Sequence, residues 1–405
     1  SAVIEVINSV SVNDWKPSDE AMIDKENMSV ETLNKYKDLL DKNQEIFSKT
    51  DQDIGMAKVI HEINLTDYTP FKFRSYRIPT AQTEILDKHV KDMLAMGVIR
   101  PSSSQYASPI VLVKKSVNSI RFCVDYRKLN GVTIKDNYPM PLIEERIDSI
   151  FGSVIFSGLD LTSGYWQFAL SAPAQELTAF ICHLGLFEFL RMPFGLCNAG
   201  ATFQRAMEGI LKGLDFAMAY VDDILIHSKT HEDHLLHLQA VFDRLRSAEL
   251  KVKLRKCNFG CKEKRFLGYI VSAEGIRMND DKINKVLNYP TPTSARSARK
   301  FNGLSSYFND FIPNYTVLNE PIQTAALLTI KDPKSKKRVP RKFVWTNDCQ
   351  TAFERIKKIL ASKPILIHPD TSKPFRLITD ASNVGLGAIL VQLDEFGVER
   401  VVCYA

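Results

Sequence analysis

The stretch Phe216–Ser228, FAMAYVDDILIHS, constrains this chain more than any other. Two adjacent carboxylates, Asp222 and Asp223, stand between apolar runs rich in strand formers. Such a pattern reads as a hairpin whose tight turn carries the acids. Neighbouring aspartates in an apolar hairpin repel one another, and desolvation adds to the cost of ionising both. Something must compensate them, and a divalent cation, which prefers oxygen ligands, is the plainest candidate. An Asp-Asp turn on a solvated surface is the competing reading, and the rest of the chain has to decide.

A chain of 405 residues has room for several domains with real cores. Its 45% hydrophobic and 25% charged content is that of an ordinary globular protein. The net charge of +6 permits a polyanionic partner but does not by itself argue for one. The seven cysteines follow no disulfide framework and read as reduced thiols of an intracellular protein. Cys257 and Cys261 lack a second ligand pair nearby. His231, His234 and His237 recur at every third position of a helical stretch, but no cysteine or acid completes a zinc set with them. No apolar run approaches the ~18 residues of a membrane span, and no charged-then-apolar leader opens the chain.

Taken in order, residues 1–30 are polar and look like the tail of something upstream, and 31–48 carry an amphipathic helical pattern. A second helix is expected over 80–96, capped by Thr80 and ended by Gly97. Strands at 108–115 and 120–130, joined by the turn SVNS, form a basic hairpin with Lys114, Lys115, Arg121, Arg127 and Lys128. Its tip could close over phosphates, although a solvated hairpin has the same composition. A short helix is expected at 142–150. The run 154–170 begins as an apolar strand that ends on Asp160, a better functional signal than an acid in a loop. Paired strands at 178–192, a PFG turn at 193–195 and a helix at 199–213 follow. After the acidic hairpin come a strong amphipathic helix at 231–250, two short strands within 251–275, and a helix at 296–312. A basic, proline-flanked linker at 331–342 is expected to be mobile. The tail, 373–405, reads as strand, Asp380, glycine-rich turn and strand.

Asp160 and the Asp222–Asp223 pair each sit at the end or turn of an apolar strand. If those strands are neighbours, the acids converge on one sheet edge. Three carboxylates there call for cations, and two magnesium ions about 3.5–4 Å apart would both neutralise them and clamp the oxygens of a phosphoryl transfer. The basic hairpin would face a triphosphate, and the basic surplus would track a nucleic-acid backbone.

Tyr220-Val221-Asp222-Asp223 resembles the YxDD box of reverse transcriptases. Further blocks resemble the gypsy-like class of long-terminal-repeat retrotransposon Pol polyproteins in order and spacing: RFCVDYRKLN, FSGLDLTSGYWQ, FEFLRMPFGLCNAGATFQRAM, YVDDILIHSKT, KRFLGYIVSAEGI and KPFRLITDASNVGLGAIL. The resemblance covers roughly residues 60–405. It implies an α+β, right-hand polymerase fold of fingers, palm and thumb, then a connection region and a truncated RNase H-like α/β domain. The implied spans are an N-terminal extension at 1–60, fingers and palm at 61–275, a thumb-like region at 276–330, a linker and connection helix at 331–372, and the RNase H-like part at 373–405. The resemblance makes Asp160, Asp222 and Asp223 the metal-binding, catalytic acids for two Mg2+ ions, with Mn2+ as a substitute. Lys114 or Lys115, with Arg121, would hold the triphosphate. Tyr165 would be the steric gate against a ribose 2′-hydroxyl, its plain alternative being a core aromatic. Gln167, Phe194 and Gly195 would line the nucleotide and template pocket, and Leu267–Gly268 would form the primer-grip turn.

The implied reaction is RNA-directed DNA synthesis from dNTPs on an RNA or DNA template-primer. The implied setting is cytoplasmic, within virus-like particles, and in part nuclear. Asp380 resembles the first metal carboxylate of an RNase H site whose partners lie beyond this sequence, so no ribonuclease H activity and poor order after about residue 370 are expected. Gly200 stands where the family has proline, and SVNS replaces a charged, glycine-containing turn. The competing function is a catalytically silent, retroelement-derived nucleic-acid-binding protein. An RNA-dependent RNA polymerase is disfavoured by Tyr165 and by the RNase H-like tail.

Overall fold

The computed structural model describes residues 15–76, 79–116, 119–141, 150–331, 338–381 and 386–404. The chain forms two compact units, Ser1–Leu142 with Phe156–Cys261, and Ile143–Ile155 with Lys262–Ala405. The short helix expected at 142–150 lies almost wholly outside the described residues, as do the central residues of the SVNS turn.

The first unit is built on a five-stranded sheet in the order Met22–Ile23, Asn258–Cys261, Ile155–Asp160, Asp223–Ser228, Ala217–Tyr220. The strand ending on Asp160 is therefore the hydrogen-bonded neighbour of the strand beginning on Asp223. The reason is visible in burial. Residues 155–159 are buried without alternation, as are 224–228, so both strands are covered on two faces and belong in the middle of the sheet. The helix His231–Ser247 covers one face with Leu238, Val241, Phe242 and Leu245, all fully buried. Thr230 caps this helix by accepting from Asp233 N, and the chain places acids in its first turn and arginines in its last, as the helix dipole favours.

The three histidines of that helix are spent on packing. His234 is buried and its ring bridges Ser157 Oγ and Ser228 Oγ, both at 2.7 Å, while Ser157 Oγ also accepts from Gly260 N. One imidazole thus ties the helix to three adjacent strands. His231 Nδ1 meets the hydroxyl of Tyr36, and His237 stacks on Phe216 with ring centroids 3.7 Å apart.

A second sheet has the order Ile99–Pro101, Gly185–Phe189, Phe180–Cys182, Ser108–Ser116, Ser119–Val124. The basic hairpin is shorter than expected. Its second strand stops at Val124, and Arg127–Val132 is a helix. The cause is Asp125, whose carboxylate accepts from Arg127 N at 3.2 Å and from the Arg127 guanidinium at 2.8 and 2.6 Å, a side chain-to-backbone bond that turns the chain out of the ladder. Arg127 and Lys128 therefore leave the hairpin. The N-terminal segment is part of this unit as well: Met22–Ile23 pairs in parallel with Asn258–Phe259, and Tyr36 and Leu40 of the helix Val30–Lys42 are fully buried. The helix expected at 80–96 spans Thr80–Ala95 with Pro79, not Thr80, at its cap.

The second unit contains a four-stranded sheet, Glu263–Phe266, Tyr269–Ser272, Gly275–Met278 and Ile365–Leu366, with the helices Ala295–Ser305, Tyr315–Ala325 and Asn347–Ala361. Within the basic linker, Arg338–Pro340 pairs with Thr329–Lys331, and 332–337 lie outside the described residues. The expectation of poor order after residue 370 is overturned. Arg376–Ala381, Leu386–Leu393 and Glu399–Tyr404 form a three-stranded antiparallel sheet. The third strand supplies the pairing that an isolated hairpin lacks.

Burial holds the His234 imidazole down to about 3 and that of His61 down to about 4, from an ordinary value of 6.5. Their stabilising contribution is complete above pH 6.5 and is lost as the pH falls toward those values. Between pH 7.5 and pH 5 each should cost the first unit about 2 kcal/mol. Urea unfolding at the two pH values measures this, and His234→Gln should flatten the dependence.

Candidate active site

The acidic hairpin has the tightest connection a hairpin permits. Tyr220 pairs with Asp223, so Val221 and Asp222 alone make the turn. Val221 sits at φ +51°, a left-handed conformation that a β-branched residue adopts only under constraint. The constraint is Gln204, fully buried in the helix Ala199–Ile210. Its Oε1 accepts from Val221 N at 2.9 Å, and its Nε2 donates to Ala219 O at 3.0 Å. Leu161 N donates to Asp222 O at 3.4 Å, which fastens the turn to the residue after Asp160.

Asp222 is half-buried, and its Oδ1 is sealed from solvent with no hydrogen-bond partner. Burial, then the charges of Asp160 and Asp223, push its carboxyl up to about 6. Gly164 is what lets this carboxylate sit so deep: a Cβ there would lie 2.9 Å from Asp222 Cγ. Asp223 is exposed at the head of its strand. Asp160 carries an ion pair that the sequence did not announce, with Lys256 Nζ at 2.9 and 3.0 Å from its two oxygens. The three acids are electrostatic neighbours, not a ready-made cage. Among the described residues no three acidic, histidine or cysteine side chains stand together as a metal site.

Around the acids, Tyr165 packs edge-on against Phe194 and Phe203, with centroids 5.0 and 5.3 Å away. Burial raises its hydroxyl above the ordinary tyrosine value, so it stays protonated. A Cβ at Gly200 would lie 3.9 Å from that hydroxyl, in ordinary contact. Phe194 is exposed, and Gly195 follows at φ +97°. Asn130 holds this turn, donating to Gly195 O at 2.8 Å and accepting from Cys197 N at 2.9 Å. Arg121 is exposed on the strand opposite Val113. Lys114 and Lys115 lie on the strand Ser108–Ser116, their side chains outside the described residues.

Gln167 requires correction. It does not line a pocket: it is fully buried, and its amide is spent on backbone, donating to Thr162 O and Lys251 O and accepting from Lys251 N. A hydrophilic residue among aromatics invites a ligand-facing reading, but an amide offers both a donor and an acceptor and suits an internal splice equally well.

In the second unit, Leu267 and Gly268 form a two-residue turn with φ +52° and +91°, the geometry that matches strand twist. Tyr307 donates to Leu267 O at 3.1 Å, and Lys282 Nζ lies 3.8 Å above the Tyr307 ring. Asp380 is exposed opposite Gly387.

Residues 112–271 match the family described as reverse transcriptase (RNA-dependent DNA polymerase), and residues 345–405 match the RNase H-like domain found in reverse transcriptase. The chain carries a reverse transcriptase domain followed by an RNase H-like domain. It is similar to the retrovirus-related Pol polyprotein from transposon 297 of Drosophila melanogaster, with 38% identity over 398 residues, 96% of this chain and 36% of that one. Against the Pol polyprotein from transposon gypsy of the same fly the identity is 36% over 370 residues, covering 88% and 36%. The chain thus spans 36% of the length of each of these two relatives. The fold is shared with a foamy viral protease-reverse transcriptase in complex with double-stranded DNA, at TM-score 0.82 and 24% identity over 96% of this chain and 66% of that one. For the complex of that protein with an RNA/DNA hybrid the values are 0.79 and 23%, over 96% and 50%. The RNase H-like match begins at residue 345 and takes in the helix Asn347–Ala361 together with the three-stranded sheet. Among the described residues, no helix of this reverse transcriptase chain is long and apolar enough to cross a membrane.

Asp222 works in the opposite sense to the histidines. Its folded value lies above its ordinary 3.8, so its contribution is complete below that value and lost as the pH rises through about 6. At pH 7.5, Asp222→Asn should stabilise the metal-free protein by about 1–3 kcal/mol. Mg2+ should raise the melting temperature of the wild type at pH 7.5, lose this effect as the pH falls below 6, and leave Asp222→Asn unmoved. Scanning calorimetry with and without Mg2+ reads all three outcomes.

Proposed function

We propose that this chain is an RNA-directed DNA polymerase that extends a primer on an RNA or DNA template. The observation that carries the reading is Asp222 Oδ1, a carboxylate oxygen buried without a hydrogen-bond partner beside two further acids at one sheet edge. Such an oxygen wants a cation, and an all-carboxylate donor set suits Mg2+ or Mn2+. Asp160, Asp222 and Asp223 would hold the ions, with Asp160 exchanging its Lys256 partner. Bound there, two such ions activate the attacking hydroxyl and neutralise the leaving phosphate.

The remaining residues bind and orient. The primer 3′-oxygen forms a bond to the α-phosphorus of a dNTP while the bond to the β-phosphate bridging oxygen breaks, and pyrophosphate departs. Arg121, with Lys114 or Lys115, would grip the triphosphate from the hairpin. Phe194 and Gly195, fixed by Asn130, would form the floor for the incoming nucleotide. Tyr165, braced by Phe194 and Phe203, would present its ring to the sugar and collide with a 2′-hydroxyl. Leu267 and Gly268 would contact the primer strand. The template-primer partners are supported by the relatives in the same family, and by a neighbouring fold that was solved on double-stranded DNA and on RNA/DNA hybrid.

Purified protein with Mg2+, dNTPs and a DNA primer on an RNA template should extend the primer, and Asp222→Asn should lower the rate at least ~10³-fold. No extension by the wild type would overturn the reading. Tyr165→Ala should raise ribonucleotide incorporation relative to deoxynucleotide by ~10-fold or more in the same assay.

A further inference from the structure

The catalytic acids hang from strands, and strands end in loops that must themselves be held. The end at Asp160 is held from an unexpected side. Thr162 N donates to Lys251 O at 3.0 Å and Lys253 N donates to Asp160 O at 2.8 Å, so the segment 249–253 lies directly against the strand end. On its other edge the same segment lies against the N-terminal part of the chain. Val252 N donates to Ile46 O at 2.8 Å, Ser48 N to Val252 O at 2.9 Å, and Met56 N to Glu249 O at 2.9 Å. Val252 is thereby bridged to Phe47 on one side and to Leu161 on the other.

Two side-chain contacts reinforce the sandwich. Ser48 Oγ lies 2.7 Å from Thr162 Oγ1, joining the outer layers directly. Gln167, buried beneath, bonds Thr162 O at 2.9 Å and both polar groups of the Lys251 peptide neighbourhood, N at 2.7 Å and O at 2.9 Å. Gly55 closes the stack. A Cβ at Gly55 would overlap Gln167 Oε1 and Glu249 O and would lie 2.9 Å from Lys251 N. No side chain fits there without moving the backbone that holds Asp160. Two ion pairs also cross the layer: Asp51 pairs with Lys253 and Asp53 with Lys251.

We propose that residues 46–56 are a positioning element of the polymerase centre, acting on Asp160 through the segment 249–253 and Gln167, with Gly55 as the contact that sets its depth. The inference rests on the polymerase reading for its consequence, but its geometry and its metal readout do not depend on turnover. Gly55 and Gln167 are positioning residues. They touch neither nucleotide nor acid, and they fix where Asp160 stands relative to Asp222.

The test uses the full chain with Gly55→Ala, with Gln167→Met, and with Val90→Ala as a control for general destabilisation in a buried helix position of the same unit. Three quantities are read: the Mg2+ concentration giving half of the thermal stabilisation in the absence of nucleic acid, kcat at saturating primer-template and dNTP, and equilibrium binding of a fluorescent RNA/DNA primer-template. Both positioning variants should shift the Mg2+ midpoint upward by about fivefold or more and lower kcat about tenfold or more, because small misplacements of a reacting group are costly. Primer-template affinity should stay within about twofold of the wild type, and Val90→Ala should leave the Mg2+ midpoint in place. An unchanged Mg2+ midpoint in both folded variants, or an equal shift in Val90→Ala, would overturn the proposal. So would failure of both variants to fold, which would make the segment a folding element. If the wild type binds Mg2+ but extends no primer, the polymerase reading falls while the Mg2+ midpoints still decide the positioning role.

Discussion

An oxygen of Asp222 has been taken out of water and given no proton donor, and the structure around it is arranged to tolerate that. Desolvation and two neighbouring carboxylates both oppose its ionisation. A buried charge without a partner costs several kcal/mol, so a fold keeps one only where something else over-determines its position. Here the over-determination is extensive. A two-residue turn is forced into a left-handed conformation at Val221, a glycine is required at position 164, and an amide from a facing helix pins the turn backbone.

The first unit solves the same problem twice. Gln204 splices the backbone of the hairpin that carries Asp222 and Asp223, and Gln167 splices the backbone beside the strand end that carries Asp160. Both are fully buried, and both use the amide as donor and acceptor at once. A carboxylate could only accept and an alkyl chain could do neither. Hydrogen-bonding a loose backbone segment with a side chain spares it the pairing a further strand would require, and it leaves the strand ends open on the side of the acids. The serine–histidine–serine bridge through His234 does for the opposite end of these strands what the glutamines do near the acids.

Much of this was legible in the sequence. Short apolar runs at 154–156 and 224–226 identify central strands, and an acid near an end of each identifies the edge where they meet. The amphipathic helices over 30–42, 80–95 and 231–247 follow from their periodicity. What was not legible has one physical character: side chain-to-backbone and side chain-to-side chain bonds between segments distant in sequence. Asn130 holding Gly195, Lys256 facing Asp160, and Gln167 turned inward leave no periodic trace. The closest signal was the occurrence of uncharged polar residues inside apolar blocks, as in ATFQRAM and GYWQFAL, which marks a buried amide without saying what it bonds. The N-terminal segment gave little signal for a related reason. Its strand, Met22–Ile23, is two residues long, too short to register as a pattern, yet it completes the sheet.

The pairing of Tyr220 with Asp223 has a consequence for how this site can vary through descent. Side chains alternate between the two faces of a strand, so one residue gained or lost in the turn would turn every side chain after it to the opposite face. Asp222, now turned inward, and Asp223, now exposed, would exchange surroundings, and Ile224 through Ser228 would present their buried sides to the wrong layer. Replacement of Val221 changes only the strain at one position. The fold therefore accommodates a change of residue at position 221 far more readily than a change in the number of residues between the tyrosine and the second aspartate, even with every acid intact.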